Sequence, residues 1–151
     1  MKLHAHGIHV TLPPGWSGRV FSHDPRAATL HAGNFTLSVD ESSTFGSAST
    51  AAMRPGASFI ALTEYVPGAG LEPGAGLFAS RRIPLPLDPA RFSPAALARP
   101  QPRHVGMQHF FTTSGRPFCL YVVLDGERTQ RRAQLAIVDH LLRSLRIERR
   151  A

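Results

Sequence analysis

Eight histidines, a single cysteine, seventeen basic residues and ten carboxylates are the groups in this sequence that could do chemistry. Their spacing decides what that chemistry could be. His4, His6 and His9 crowd the start of the chain, and on one strand His4 and His6 project to the same face, as metal ligands can. In the sequence no cysteine or carboxylate stands beside them to complete a set, so exposed histidines on an edge strand are the plainer reading, and no residue is assigned to metal. Cys119 and His109 supply the thiol and imidazole of many nucleophilic sites. Against that pairing, Cys119 is flanked by Phe118, Leu120 and Tyr121 in the strand expected to be most buried, where a cysteine is a small hydrophobe.

Other patterns fail their tests. Gly68, Gly70, Gly74 and Gly76 match neither G-x-G-x-x-G nor a P-loop, and no helix follows to receive a phosphate. Gly15-Trp16-Ser17-Gly18 lacks the second spacer of a nucleophile elbow, which leaves Trp16 as a core or lid residue. Asp40, Glu41, Glu64 and Asp88 are scattered, so no carboxylate pair for acid/base work emerges. Glu64 stands apart: in a central strand it must be paired with an arginine or sit at the strand end. No catalytic, cofactor-binding or metal residue is assigned, no cofactor is expected, and the balance leans away from an enzyme.

The elements that would position these groups can be read from the pattern. Leu3 to Leu12 alternates around His6-Gly7, as one bent strand or a tight hairpin. Arg19 to Ser22 is a short strand, and Thr29 to Val39 carries Gly33-Asn34 as a two-residue hairpin turn. A helical turn is expected at Ser47 to Met53, stopped by Pro55-Gly56. Phe59 to Val66 has apolar residues on both sides, as a covered central strand does. Pro67 to Leu77 is a glycine-rich loop, Leu77 to Ile83 a further strand, and Pro84 to Pro102 a long irregular connection. Met107 to Thr113 and Phe118 to Leu124 flank Ser114-Gly115-Arg116 as a hairpin whose loop has two or three residues. Thr129 to Ile147 then places Leu135, Val138, Leu141, Leu142 and Leu145 on one helical stripe that should pack on the sheet.

Composition bounds the rest. At 151 residues the chain is expected to form a single domain over residues 1–151. The net charge of +7 invites an acidic partner, yet Lys2 is the one lysine and the arginine-rich, alanine-rich composition matches a GC-rich genome. Arg128, Arg131, Arg132, Arg143, Arg146, Arg149 and Arg150 gather in or beside the last helix, where a solvated surface is their usual meaning. Aromatic residues are not interleaved with them, which disfavours nucleic acid as a partner. The longest apolar run, Phe118 to Leu124, is far short of the roughly 20 residues that span a bilayer. With one cysteine and no apolar leader at the start, a cytoplasmic location is expected.

Ile8-His-Val-Thr-Leu-Pro-Pro-Gly-Trp16 near the start, and Phe118-Cys-Leu-Tyr-Val-Val-Leu124 followed by a helix ending His140-Leu-Leu-Arg-Ser-Leu145, together resemble the Mog1/PsbP-like fold. In that fold an early strand runs into a P-x-W or P-G-W turn and a final helix closes an antiparallel sheet. The chain also resembles small proteins of GC-rich actinobacteria. The resemblance implies an α+β, α/β/α-type sandwich and, since members of the fold include a binder of a small GTPase and extrinsic photosynthetic subunits, an accessory binding module with no shared active site.

The expected fold is therefore α+β, an antiparallel sheet packed by a C-terminal amphipathic helix and one or two short helices. The leading functional expectation is a non-catalytic protein-interaction module, self-association included, that uses a sheet edge or the loops from Pro67 to Pro102. One alternative is a small-molecule or metal-binding protein with a pocket between the sheet and the long loop, lined by Trp16, Tyr65, His109 and Cys119. The other is anion or nucleic-acid binding through the arginine-rich helix.

Overall fold

The computed structural model describes residues 1–150. Its strands are β1 (Lys2–Ala5), β2 (Ile8–Thr11), β3 (Ser17–Asp24), β4 (Ala27–Gly33), β5 (Ser58–Glu64), β6 (His104–Thr113), β7 (Arg116–Asp125) and β8 (Arg146–Ile147). The helices are α1 (Ser47–Ala51) and α2 (Arg131–Arg143), with short 3-10 turns between them. The class is α+β, as expected, but the strands form two antiparallel sheets rather than one. A five-stranded sheet runs β3-β4-β5-β7-β6, and a three-stranded sheet runs β1-β2-β8.

Local chemistry explains most of these boundaries. His6 and Gly7 both have positive φ, 51° and 77°, which makes a tight turn and fixes β1 and β2 as a hairpin instead of one bent strand. Ser114 and Gly115 do the same at φ 52° and 72°, so the β6–β7 loop has two residues and Thr113 faces Arg116. That register carries on to the far end of the ribbon, where His104 faces Asp125. Gly33-Asn34 is not a turn. The β3–β4 hairpin closes sooner in the chain, between Asp24 and Ala27, and Asn34 instead ties β4 to the start of β5, its Oδ1 accepting from the Ser58 amide.

Two further expectations need correcting. Leu77 to Ile83 is not a strand; it opens with a 3-10 turn at Gly76–Phe78 and is held against β6 through Thr112, whose amide donates to the Ser80 carbonyl and whose hydroxyl donates to that of Phe78. Its polar Ser80-Arg81-Arg82 stretch has no apolar alternation to bury. The last helix is also shorter than Thr129 to Ile147: it ends at Arg143, and the chain reverses at Ser144, whose hydroxyl oxygen accepts from the Thr11 amide. Ile147 thus joins β8 opposite Ile8, not the helical stripe.

The five-stranded sheet is apolar on both faces, as the composition of its middle strand requires. Ile60, Leu62, Leu120, Val122 and Leu124 share one core with Ile8 and Val10 of the small sheet, Trp16, and Leu135, Val138, Leu141 and Leu142 of α2. Phe59, Ala61, Tyr121 and Val123 look the other way, onto Met53, Phe45 and Leu97. β5 and β7 are buried along their whole lengths, so the long loops act as lids on a sheet with no solvent face in the middle. Both outer edges are blunted, β3 by an irregularity between Phe21 and Asp24 and β6 by the Ser93–Gly106 bridge and the bond to Ser80.

Candidate functional site

The four residues nominated from sequence as a pocket lining do not converge on one site. Direct pairing puts Cys119 opposite Phe110 and His109 opposite Leu120, so the alternation of side chains sends the thiol and the imidazole to opposite faces of the ribbon. Cys119 is fully buried, and burial pushes its thiol up to about 12, the reverse of an activated nucleophile. Tyr65, its hydroxyl likewise pushed up to about 12 by burial, packs on Phe78 and Phe110. His109 Nε2 donates to the Arg82 carbonyl and lies beside the Ser80 hydroxyl, and Trp16 belongs to the main core. Of the expected lining, Tyr65 and Cys119 are therefore neighbours beside Phe110, while His109 and Trp16 pack elsewhere.

Glu64 is paired, as a carboxylate in a central strand must be. Arg116, itself buried, grips it in a fork with Nε 3.0 Å from Oε2 and Nη2 2.9 Å from Oε1, and Arg150 reaches it from the C-terminal segment. The Ala28 amide donates as well, at 3.0 Å. Burial alone would raise the pKa of this carboxyl, but the hydrogen bonds from Arg116, Arg150 and Ala28 prevail and hold it below the ordinary 4.5. Arg116 also donates to the carbonyls of His6 and Glu148, so one side chain joins the central strand, the first hairpin and the segment just after the last strand. This is an architectural knot, and Arg150 within it is not available to a basic helix face.

The basic residues divide accordingly. Arg146 turns back onto the carbonyls of Arg143 and Leu145, Arg143 lies in the last turn of α2 where a cation suits the helix dipole, and Arg128, Arg131 and Arg132 stand at its start.

A cleft of about 660 Å³ opens at that start, between the end of the β6–β7 ribbon, the long loop and α2. Its polar lining is Gln101, Arg103, His104, Asp125, Glu127, Gln130 and Arg131, with Pro55, Pro94 and Pro102 forming apolar walls. At its base His104 Nε2 lies 3.0 Å from Asp125 Oδ2, with both side chains at 5 % exposure or less, and Arg103 Nη2 stands 3.8 Å from the same oxygen. The Asp125 backbone is fixed by bonds with Gly56, Ala57 and Gln134. Arg103 is a non-glycine residue in the left-handed region, φ 65°, a strained conformation set directly before the histidine.

Three buried polar atoms at this junction have no protein partner: Asp125 Oδ1, Gln134 Oε1 and Arg131 Nε. Two are acceptors and one is a donor, and a buried polar group left unpaired costs about 1–3 kcal/mol. Gly126 lets Gln130 and Gln134 pack close against the backbone, since a Cβ there would sit 2.7 Å from Gln130 Oε1. A second cleft of about 470 Å³ adjoins the first through Arg131 and adds Arg128 and Arg132. None of the residues lining the larger cleft carries a hydroxyl or thiol.

Sequence reasoning missed this site because it read Asp125-Gly126 only as a strand break. The signal was present: a two-residue loop at Ser114-Gly115 puts His104 opposite Asp125 once the ribbon is extended by three pairs.

Fold and cleft together define an α+β domain of two antiparallel sheets with a polar pocket at the joint of ribbon and helix. No family model, curated protein or solved structure matches the chain. No helix among the described residues is long and apolar enough to cross a membrane.

Proposed function

We propose that the protein is a binding module whose His104–Asp125 cleft takes a small polar molecule bearing both a hydrogen-bond donor head and an anionic group. The observation that carries this reading is a pair of unpartnered buried atoms on residues that line the cleft: Asp125 Oδ1 asks for a donor, and Arg131 Nε asks for an acceptor. Arg128, Arg131 and Arg132 also crowd the positive end of α2, where cations repel the dipole and an anion relieves them. A cleft beside the long loop supports the ligand-binding reading, though on residues other than Trp16, Tyr65, His109 and Cys119. The resemblance to the Mog1/PsbP-like fold supports a module of binding rather than of catalysis, and the lone buried thiol suits a cytoplasmic setting.

Thermal unfolding against a panel of amino acids, phosphorylated sugars and nucleotides tests it. A ligand at 100 times its Kd adds about 2.7 kcal/mol, which for a chain of this size raises Tm by about 5–10 °C. Arg131→Gln, at a partly exposed residue, should abolish the rise while folding normally, and Asp125→Asn should abolish it at a lower starting Tm. No shift with any panel member, or an equal shift in both variants, overturns the reading.

A second reading, a protein-interaction module that pairs with its own kind, draws on β3, which is hydrogen-bonded on one side only, by β4. Under that reading light scattering gives twice the monomer mass at micromolar concentration. A strict monomer argues against it.

A further inference from the structure

We infer that His4, His9 and Glu148 form a binding site for a divalent transition-metal ion, with zinc as the representative, on the three-stranded sheet and apart from the cleft. The sequence spacing of the histidines does not reveal it. His6, which spacing alone would pair with His4, turns away in the β1–β2 loop, and the true partner is His9, directly opposite His4 across the hairpin. The carboxylate arrives from the other end of the chain.

The geometry is that of a three-ligand set held on rigid strands. The two imidazole rings stack with centroids 3.5 Å apart and planes 22° from parallel. His9 Nε2 lies 2.7 Å from Glu148 Oε1, and the ligating atoms of all three residues fall within 4.8 Å of one another. In a tetrahedral site with bonds near 2.0–2.1 Å the donors stand about 3.3 Å apart, so the widest pair must draw in by roughly 1.5 Å. Rotation of partly exposed side chains covers that distance.

The backbone beneath them is already placed. β2 pairs with β1 on one side and β8 on the other, the Glu148 amide donates to the Gly7 carbonyl at 2.8 Å, and Arg116 holds the Glu148 carbonyl at 3.0 Å.

The donor set selects the ion. Two imidazoles and one carboxylate suit zinc, copper(II) or nickel(II), whereas magnesium and calcium prefer oxygen alone. Three protein ligands leave a fourth position for water, and by joining β1, β2 and the residue after β8 the ion would fasten the two ends of the small sheet.

Calorimetric titration of the full chain with zinc chloride, with cobalt(II) absorption as the spectroscopic readout of coordination, tests the inference. Wild-type protein is expected to take up one equivalent and show tetrahedral cobalt bands. His4→Ala and Glu148→Gln, both at exposed side chains and so expected to fold normally, should bind about tenfold or more weakly. His6→Asn, which keeps a residue tolerant of positive φ, should bind as wild type. Absence of binding by the wild type, unchanged binding in His4→Ala and Glu148→Gln, or an equal loss in His6→Asn overturns it.

Discussion

Glu64 is buried under two arginines and an amide, and its carboxylate can be neutralised without changing its shape. Glu64→Gln leaves the Arg116 guanidinium buried with half its partner gone, and breaking a buried pair in this way costs about 3–5 kcal/mol. Urea denaturation should show that loss, and a change below about 1 kcal/mol would mean that Arg116 is held by the carbonyls of His6 and Glu148 alone. At Cys119 the expectation is inertness: with its thiol pushed up to about 12, the native protein should resist iodoacetamide at neutral pH and react only when unfolded. Rapid labelling of native protein would refute the burial of this thiol inside the sheet. That Glu64 needed an arginine was legible from its place in an apolar strand. Which arginine was not, because Arg150 lies 86 residues away and only the folded chain brings it near.

Elements were legible wherever a turn residue or an apolar period announced them. The β6–β7 ribbon, the central β5 strand and the stripe of α2 are of this kind, and the aliphatic residues of that helix divide as the period says. Leu141 is fully buried and Ile137 is 46 % exposed. Leu141→Ala should therefore cost about 2–5 kcal/mol, and Ile137→Ala no more than about 0.5 kcal/mol. Equal losses in chemical denaturation would mean that the helix does not pack by this face. What stayed hidden were the elements made by distant pairing. β8 has two residues, too few to show a pattern, and it exists because β2 offers an edge. The cleft stayed hidden for a related reason: it depends on a register and on a helix start, and neither His104 nor Asp125 belongs to a motif.

At the scale of the whole molecule, two buried ionisable groups set how stability follows pH. Burial holds His31 below its ordinary 6.5, with its Nε2 donating to the Thr44 carbonyl, so the unfolded chain takes up a proton that the folded one refuses. Its contribution is complete above pH 6.5 and declines as pH falls below that value. Glu64, held below 4.5, contributes fully above pH 4.5 and loses its contribution as pH falls through the lowered value. Resistance to thermal unfolding between pH 8 and pH 3 should thus weaken in two stages, and His31→Gln should remove the first. A flat profile from pH 7 to pH 5 would contradict the burial of His31. The small sheet carries a different kind of consequence. His9 and its partner Glu148 are 139 residues apart, so the first hairpin leaves the ribosome long before the strand that completes its layer. At about 5–20 residues per second that interval lasts roughly 7–28 s, during which an unpaired edge could recruit a neighbouring nascent chain. Lys2, His4 and His9 lie along this hairpin, and their polarity discourages such pairing until synthesis catches up.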